Sequence, residues 1–516
     1  MSPANRLNPP SYNLTTDKSY LPLVGIHFSG LVLSFLVGLD LGTTGFRYEC
    51  YDVEGNVLSS GRAELKGQTV EDWVEALLKA VPSKPPYKRG GDVILSAQST
   101  SGTVILADKF GKPVFEPIMY YEKAVEEFKE VSHWSSTKQL TDVGVSISST
   151  SPLPKILRVK KRFPNRFKNV KWILSPTTWL LYRFLIKEGE EWRDVETDWT
   201  NALKLGEDIT GAEPRWFTPI FQEAGIDLDL LPRIVPCGKL IGEAESQLAE
   251  KTGLKGARVY QGMTDGNASA LAVGCLNDGD FGFSCGTTTA FKYVSSEMKL
   301  HPAIYYHLHP VEGYLAGAAP VTAGMLEWFS KKIMGIDTGE AFKLAEEASR
   351  LGALGLYFPQ GDREPFNDPT LGASFLRLWP VDASSSEVRG MMFNAMLLGL
   401  TFLEKYYITL FEDLFNKPIT EAKITGGGTR SRWWNRIRAS VYGFEVKVMD
   451  ERPGVGALIP AAMEEKLYSN YKEAGGKLLR VLEIFKPEQE LASKYRKEEK
   501  LFTKRWHAVK TASDID

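Results

Sequence analysis

The chain has little of what marks most specialised proteins. It holds four cysteines in 516 residues. Cys50, Cys237, Cys275 and Cys285 are too few and too scattered for a disulfide framework, and no pair has the CxxC spacing of a zinc site. A reducing compartment, the cytoplasm, is the expectation. Charge of neither sign is in excess: 62 Lys plus Arg stand against 64 Asp plus Glu, a net charge of −2. That balance supplies no general field for nucleic acid or an anionic membrane, so a charged ligand must be met locally. A GxxxxGK[ST] phosphate loop, the HRD and DFG segments of protein kinases and a GxGxxG after a strand are all absent. One uncharged stretch, between Lys18 and Asp40, is long enough to resemble a membrane span. Pro22, Gly25, His27 and Gly30 interrupt it, and it runs into a Gly/Thr turn, so it reads better as the approach to a buried strand.

What is present is ordinary in composition and particular in pattern. Hydrophobic residues make up 43% and charged residues 24%, the balance of a globular protein, and the length allows roughly two to four domains. Residues 1–33 read as an irregular tail or a mis-assigned start. Residues 32–41 then form a strand, Gly42-Thr43-Thr44-Gly45 a turn, and Phe46, Tyr48 and Cys50 alternate along a second strand. Residues 57–65 give a third. Thr69 can cap a helix whose Trp73, Leu77, Leu78 and Val81 share a face. Short strands at 93–95 and 104–107 complete a mixed α/β layer.

The second half echoes the first. Residues 38–46, GLDLGTTGF, align with residues 282–290, GFSCGTTTA, at a constant offset of 244 (282 minus 38). Both read as apolar strand, GTT turn, apolar strand. An offset near half the chain suggests two related domains facing each other across a cleft. The polar turn at 276–280 divides them into 34–278 and 279–516. A third glycine turn, Gly426-Gly427-Gly428, follows a strand at 422–425. It precedes a helix over 431–442, with Trp434, Ile437 and Val441 inward and Gly443 at its end. Pro453-Gly454-Val455-Gly456-Ala457 starts another helix with residues small enough for close packing.

These turns suit phosphate, because the exposed amides of a tight Gly/Thr turn surround an anion without desolvating a side-chain cation. Two of them could hold the ends of a polyphosphate; the plain alternative is a pair of structural hairpins. Asp40 sits on an apolar strand, where an ionised carboxylate must be paired, hydrogen-bonded or near a cation. Mg²⁺ would meet that need, as would bonds to the turn amides. Ser284 holds the same place in the echo. Asp265 lies between an apolar run at 257–260 and a helix over 268–273. It can cap that helix, or accept the proton of an attacking hydroxyl in phosphoryl transfer. His307 and His309 form an HxH without further clustered ligands. The seven basic residues within 158–171 read as a solvated helix and loop.

Taken together, these motifs resemble the FGGY carbohydrate kinases of the sugar kinase, Hsp70 and actin superfamily, over about residues 34–480. Residues 39–45 look like that family's first phosphate motif, 283–289 the second and 424–428 the adenosine motif. The resemblance implies an α/β fold of two ribonuclease-H-like (actin-like ATPase) domains closing on ATP and sugar. It implies Asp265 as catalytic base in contact with substrate, and Asp40 as the residue placing Mg²⁺ and sugar, with Thr43 beside them. Gly42, Thr43, Thr44, Gly286 and Thr287 would approach the phosphates, and Gly427, Gly428, Ser431 and Trp434 the nucleoside. Ser431 replaces an Asn of similar loops. Residues 99–104, 150–155 and 200–206 look like segments of D-ribulose kinases of the cyanobacterial and plant type, with Ser101 as a sugar contact. The Gln-Met-His-Gly stretch of bacterial xylulokinases is replaced by residues 99–102. The expected reaction is transfer of phosphate from ATP·Mg²⁺ to the terminal hydroxyl of a ketopentose, D-ribulose at O5. D-Xylulose, L-ribulose, erythritol and glycerol are the other acceptors, and a non-catalytic actin- or Hsp70-like nucleotide switch is the rival of a different class. The partner expected is a small sugar, with neither nucleic acid nor membrane, and a homodimer stays open.

Overall fold

The computed structural model describes residues 34–514, apart from 210–212, 363–364, 369, 379–381 and 383–384. The expected tail, residues 1–33, lies outside them. The strand Ser34–Leu41 is buried from its second residue to its last, which explains its unbroken apolar run: a strand covered on both faces has no polar side to show. It pairs antiparallel with Gly45–Tyr51 and parallel with Asp92–Ser99. The first sheet runs in the order Leu240–Glu243, Arg258–Tyr260, Asp92–Ser99, Ser34–Leu41, Gly45–Tyr51, Val57–Glu64. The short strand Met263–Thr264 lies beside the carboxyl end of Asp92–Ser99.

Thr69 starts the helix Val70–Ala80 through a capping box. Its hydroxyl accepts from the Asp72 amide, and the Asp72 carboxylate accepts from the Thr69 amide, both at 3.1 Å. Trp73, Leu77 and Val81 are buried as expected, but Leu78 is 37% exposed. Ala76 and Ala80 take its place on the sheet, because at 3.6 residues per turn position 78 falls beside the 73–77–80 stripe, outside it.

The second sheet runs Tyr305–Leu308, Tyr314–Ala318, Thr289–Ser295, Phe281–Cys285, Glu421–Thr425, Glu445–Met449, Val481–Phe485. Again a hairpin's first strand pairs antiparallel with its successor and parallel with a strand that returns later. The nine-residue echo is therefore the visible part of a repeated topology. The two hairpins close differently: Leu41 faces Phe46 across residues 42–45, whereas Cys285 faces Thr289 across only 286–288.

Between Asp92–Ser99 and Arg258–Tyr260 the chain builds a further lobe, with its own core around Leu106, Ile156, Leu203 and Phe221. Its basic run is occupied within the lobe. Arg158 pairs with Glu122 at 2.9 Å, Lys161 pairs with Glu130, and Lys160 donates to the Ala224 carbonyl at 3.0 Å.

The turn at 276–280 separates the sheets, with Asp280 accepting from the Leu276 and Asn277 amides. Residues 455–478 nevertheless return to the first layer. Val455, Leu458 and Ile459 pack with Leu36, Ile94, Met263 and Leu271 in one buried cluster. Glycine permits this. A Cβ on Gly38 would stand 2.6 Å from the Gly454 carbonyl oxygen, and one on Gly456 would stand 2.0 Å from that of Ala268. Gly456→Ala is therefore expected to lower stability by about 1–3 kcal/mol through overpacking of two helices. Urea unfolding measures it, and an unchanged midpoint would show that these helices do not approach so closely.

Candidate active site

Strand register brings the two acids to one end of the first sheet. Asp40 stands opposite Gln98 on one side of Asp92–Ser99, and Met263 stands opposite Gln98 on the other, with Asp265 two residues beyond. The two acids thus flank the end of the central strand, one on each side. Asp40 is 6% exposed. Burial pushes its carboxyl up, against the pull of Gln98 and of Arg47, whose Nη1 donates to Asp40 at 3.2 Å. Its partners are thus side chains of the neighbouring strands.

Asp265 opens the helix Asp265–Ala272, three residues earlier than the sequence suggests, and Thr264 holds the cap position. Of the N-cap or near-cap place expected as one alternative for Asp265, it takes the second, beside the cap. Its carboxylate accepts from the Gly266 amide at 2.7 Å and lies near the Ser101 amide. Burial above all, with the charge of Asp40 adding to it, pushes this carboxyl up to about 6, opposed by those two amides and by Lys204.

A cavity of about 540 Å³ opens beside Asp265, between the two halves. One wall carries Ser101, Gly102, Thr264 and Gly266, together with Ser148, Thr150, Ser151, Pro152 and Lys204 of the inserted lobe; the facing wall carries Ser284, Ala290, Lys292, Tyr305 and His307 of the second sheet. Each of the segments 99–104, 150–155 and 200–206 thus contributes to one cavity. The Ser101-Gly102 loop is held from behind: fully buried Lys155 donates to the carbonyls of Gly102 at 3.1 Å and Met119 at 2.8 Å.

The glycine turns sit at the strand ends. Gly42 donates its amide to the Gly45 carbonyl at 3.0 Å, and the Thr43 hydroxyl donates to Tyr120, itself on the cavity wall. Thr44, Gly286 and Thr287 are exposed. The Thr287 carbonyl is anchored by the amides of Thr322 and Gly324. The third turn lies against the second: a Cβ on Gly428 would stand 2.4 Å from Cys285 Sγ, and Gly426 has φ +96°. Gly427 is exposed and Gly428 buried. Ser431 caps the helix Arg432–Tyr442, accepting from the Trp434 amide at 3.2 Å.

Trp434 requires a correction. It is fully buried; its indole donates to Thr401 at 2.9 Å and its ring lies between Phe342 and the Arg438 guanidinium. The helical period that places it inward also keeps it from a nucleoside. Beneath it, Arg438 joins the second and third turns, donating to the Gly428 carbonyl and Cys285 Sγ, each at 3.2 Å, while paired with buried Glu404 at 2.8 Å.

Sequence reasoning passed over Lys204, Lys292 and Tyr305, and weighed His307 only as a metal ligand. Lys204 sits inside a segment already singled out, and Lys292 lies two residues past cavity-lining Ala290 on the strand Thr289–Ser295, so cavity-facing parity was the available signal. His309 lies apart, its Nε2 2.9 Å from the Cys275 carbonyl. Among the described residues no group of three or more His, Cys, Asp or Glu could hold a metal by itself, and no helix is long and apolar enough to cross a membrane.

This pairing of duplicated sheets around a cavity is the actin-like ATPase fold, and the chain belongs to the FGGY family of carbohydrate kinases. The family's N-terminal domain matches residues 93–272 and its C-terminal domain residues 282–465. The protein is accordingly a carbohydrate kinase, and membership implies use of ATP. It is 25% identical over 490 residues to the xylulose kinase of Bacillus subtilis (strain 168), covering 90% of this chain and 95% of the relative. The autoinducer-2 kinase of Escherichia coli (strain K12 / DH10B) is 24% identical over 506 residues, covering 90% and 92%. The crystal structure of xylulose kinase from Rhodospirillum rubrum superposes with a TM-score of 0.76 at 20% identity, covering 92% of this chain and 99% of that one.

Arg438→Met leaves Glu404 charged and unpaired in the core, with an expected loss of about 3–5 kcal/mol. Denaturant titration reads it; a loss below about 1 kcal/mol would show that the ion pair does not support the turns.

Proposed function

We propose that the protein transfers the γ-phosphoryl group of ATP to the terminal hydroxyl of a ketopentose, D-ribulose at O5, giving D-ribulose 5-phosphate. The observation that carries this reading is Asp265, a half-buried acid between the cavity-lining residues Thr264 and Gly266, with its carboxyl pushed up to about 6. Such a carboxylate is ionised at neutral pH yet more basic than an exposed aspartate, which is what a general base needs. It accepts the hydroxyl proton as the oxygen attacks the γ-phosphorus and ADP departs. The sugar lies in the cavity, with Ser101 and Thr43 beside the acids. Residues 34–278 form the sugar side and 279–516 the nucleotide side, and their closure excludes water and aligns the acceptor. The turn amides and hydroxyls of Gly42, Thr43, Thr44, Gly286 and Thr287 steady the phosphates. Gly427, Gly428 and the Ser431 hydroxyl border the nucleoside. Four unpaired, buried cysteines suit work in the cytoplasm.

Asp40 fits Mg²⁺ as a single carboxylate at a phosphate-binding edge, since this ion takes one or two carboxylates and completes its shell with phosphate oxygens and water. When bound, the ion would offset charge on the phosphoryl oxygens. Arg47 and Gln98 orient Asp40 for that contact.

The segments lining the cavity favour D-ribulose, whereas the xylulose kinases among the relatives favour D-xylulose as the second reading. An ADP-release screen over D-ribulose, D-xylulose, L-ribulose, erythritol and glycerol is expected to give the highest kcat/KM with D-ribulose. A higher value with D-xylulose selects the second reading. Asp265→Asn is expected to cut turnover by about 10²-fold or more. The raised carboxyl means the charged form is disfavoured in the fold, so stability declines as pH rises from the unfolded value toward about 6 and is flat above it. The Asn variant escapes that loss, and its Tm at pH 7 should equal or exceed the parent's. The parent's kcat/KM should rise tenfold per pH unit below about 6 and level off above it, the base being active when ionised. Near-normal turnover in Asp265→Asn removes this residue from the mechanism.

A further inference from the structure

The cavity contains a cluster of basic side chains to which the transfer step assigns no contact with the sugar. Lys204 comes from the helix Trp199–Leu205, Lys292 from the strand Thr289–Ser295 and His307 from the strand Tyr305–Leu308. All three line the cavity. Among the described residues neither lysine makes an ion pair, and Lys292 meets Tyr305 alone, its hydroxyl at 3.3 Å and its ring centroid at 4.8 Å. His307 is 7% exposed, and its Nδ1 is buried without a hydrogen-bond partner. The three groups feel one another. Burial and Lys292 hold the Lys204 amine down to about 8, with Asp265 opposing; burial and both lysines keep the His307 imidazole neutral.

Unpaired donors in a confined space are unfavourable unless something with acceptor oxygens enters. Position indicates which part of a ligand that is. Lys292 lies two residues further from the Gly286–Thr288 turn than Ala290, about 7 Å along the strand. The cluster therefore faces the end of a substrate remote from the phosphates. An open-chain ketopentose with its terminal hydroxyl at Asp265 places its carbonyl three carbons away, toward Lys204.

We propose that Lys204, Lys292 and His307 form the specificity subsite for the remote end of the sugar, and that it takes an electron-rich oxygen: the ketone of an open-chain ketose, or the carboxylate of the matching sugar acid. Lysine ammonium groups bind such an oxygen more strongly than a hydroxyl, because it carries more negative charge and needs no donor of its own satisfied. The orientation of the sugar rests on the kinase reading above. The affinity for an acceptor oxygen does not.

Lys204→Met and Lys292→Met are tested with D-ribulose against ribitol, which has a hydroxyl in place of the ketone, and with D-ribonate as a calorimetric probe. In each variant KM for D-ribulose should rise about tenfold or more, with a smaller change in kcat and an unchanged KM for ATP. The parent's preference for D-ribulose over ribitol should collapse, and Lys292→Arg should restore most of it, as a merely structural lysine would not require. D-Ribonate should bind the parent and lose at least tenfold in affinity in both Met variants. An unchanged D-ribulose KM and ribitol ratio would falsify the ketone assignment; ribonate binding that is absent or insensitive to both substitutions ends the carboxylate one. A parallel rise in KM for ATP overturns both, since the cluster then serves the nucleotide. If the parent phosphorylates no pentulose, the ketopentose reading fails on its own, and the ribonate titrations still decide the subsite.

Discussion

The alignment of three parallel strand ends governs the chemistry of this protein. Leu41, Ser99 and Thr264 stand level in hydrogen-bonded register, so Asp40 and Asp265 arrive on either side of one strand. A two-residue slip would carry either acid about 7 Å away. The register is held in turn by close backbone contact: helix Val455–Glu464 can lie on this sheet and on the Asp265 helix because Gly38, Gly454 and Gly456 have no Cβ.

The second half answers with a different device. Its GTT turn and its triple-glycine turn share Cys285 as a floor, and Arg438 ties both to Glu404 in a fully buried pair. A buried ion pair gives little net stability, but its donors have fixed directions. Here those directions meet the Gly428 carbonyl and Cys285 Sγ, so the polar core sets the shape of the loops above it. One half thus places its acids by strand register and the other its amides by a buried cation.

Much of this architecture was legible along the chain because it is local. Thr69 with Asp72 is a cap written within four residues, and the GTT turns are hairpins written within nine. The repeated topology showed through those nine residues alone, although the hairpins close with different registers. Leu78 misled because an apolar residue beside a helical stripe differs from one on it by a single step of rotation. Trp434 misled because proximity to a glycine turn in sequence does not say whether a ring faces the turn's open side or its core.

The sequence by itself determined the local pieces: which segments are strands, where turns expose amides, which helices have caps, and that two halves share a plan. Each follows from residues within a turn or two of one another. Tertiary structure alone decided that residues 455–478 return to the first layer, that Asp265 lies where the surrounding protein raises its carboxyl, and that Lys204, Lys292 and His307 share one cavity. Those outcomes depend on dielectric and distance between residues far apart in the chain, and neither exists until the sheets have packed.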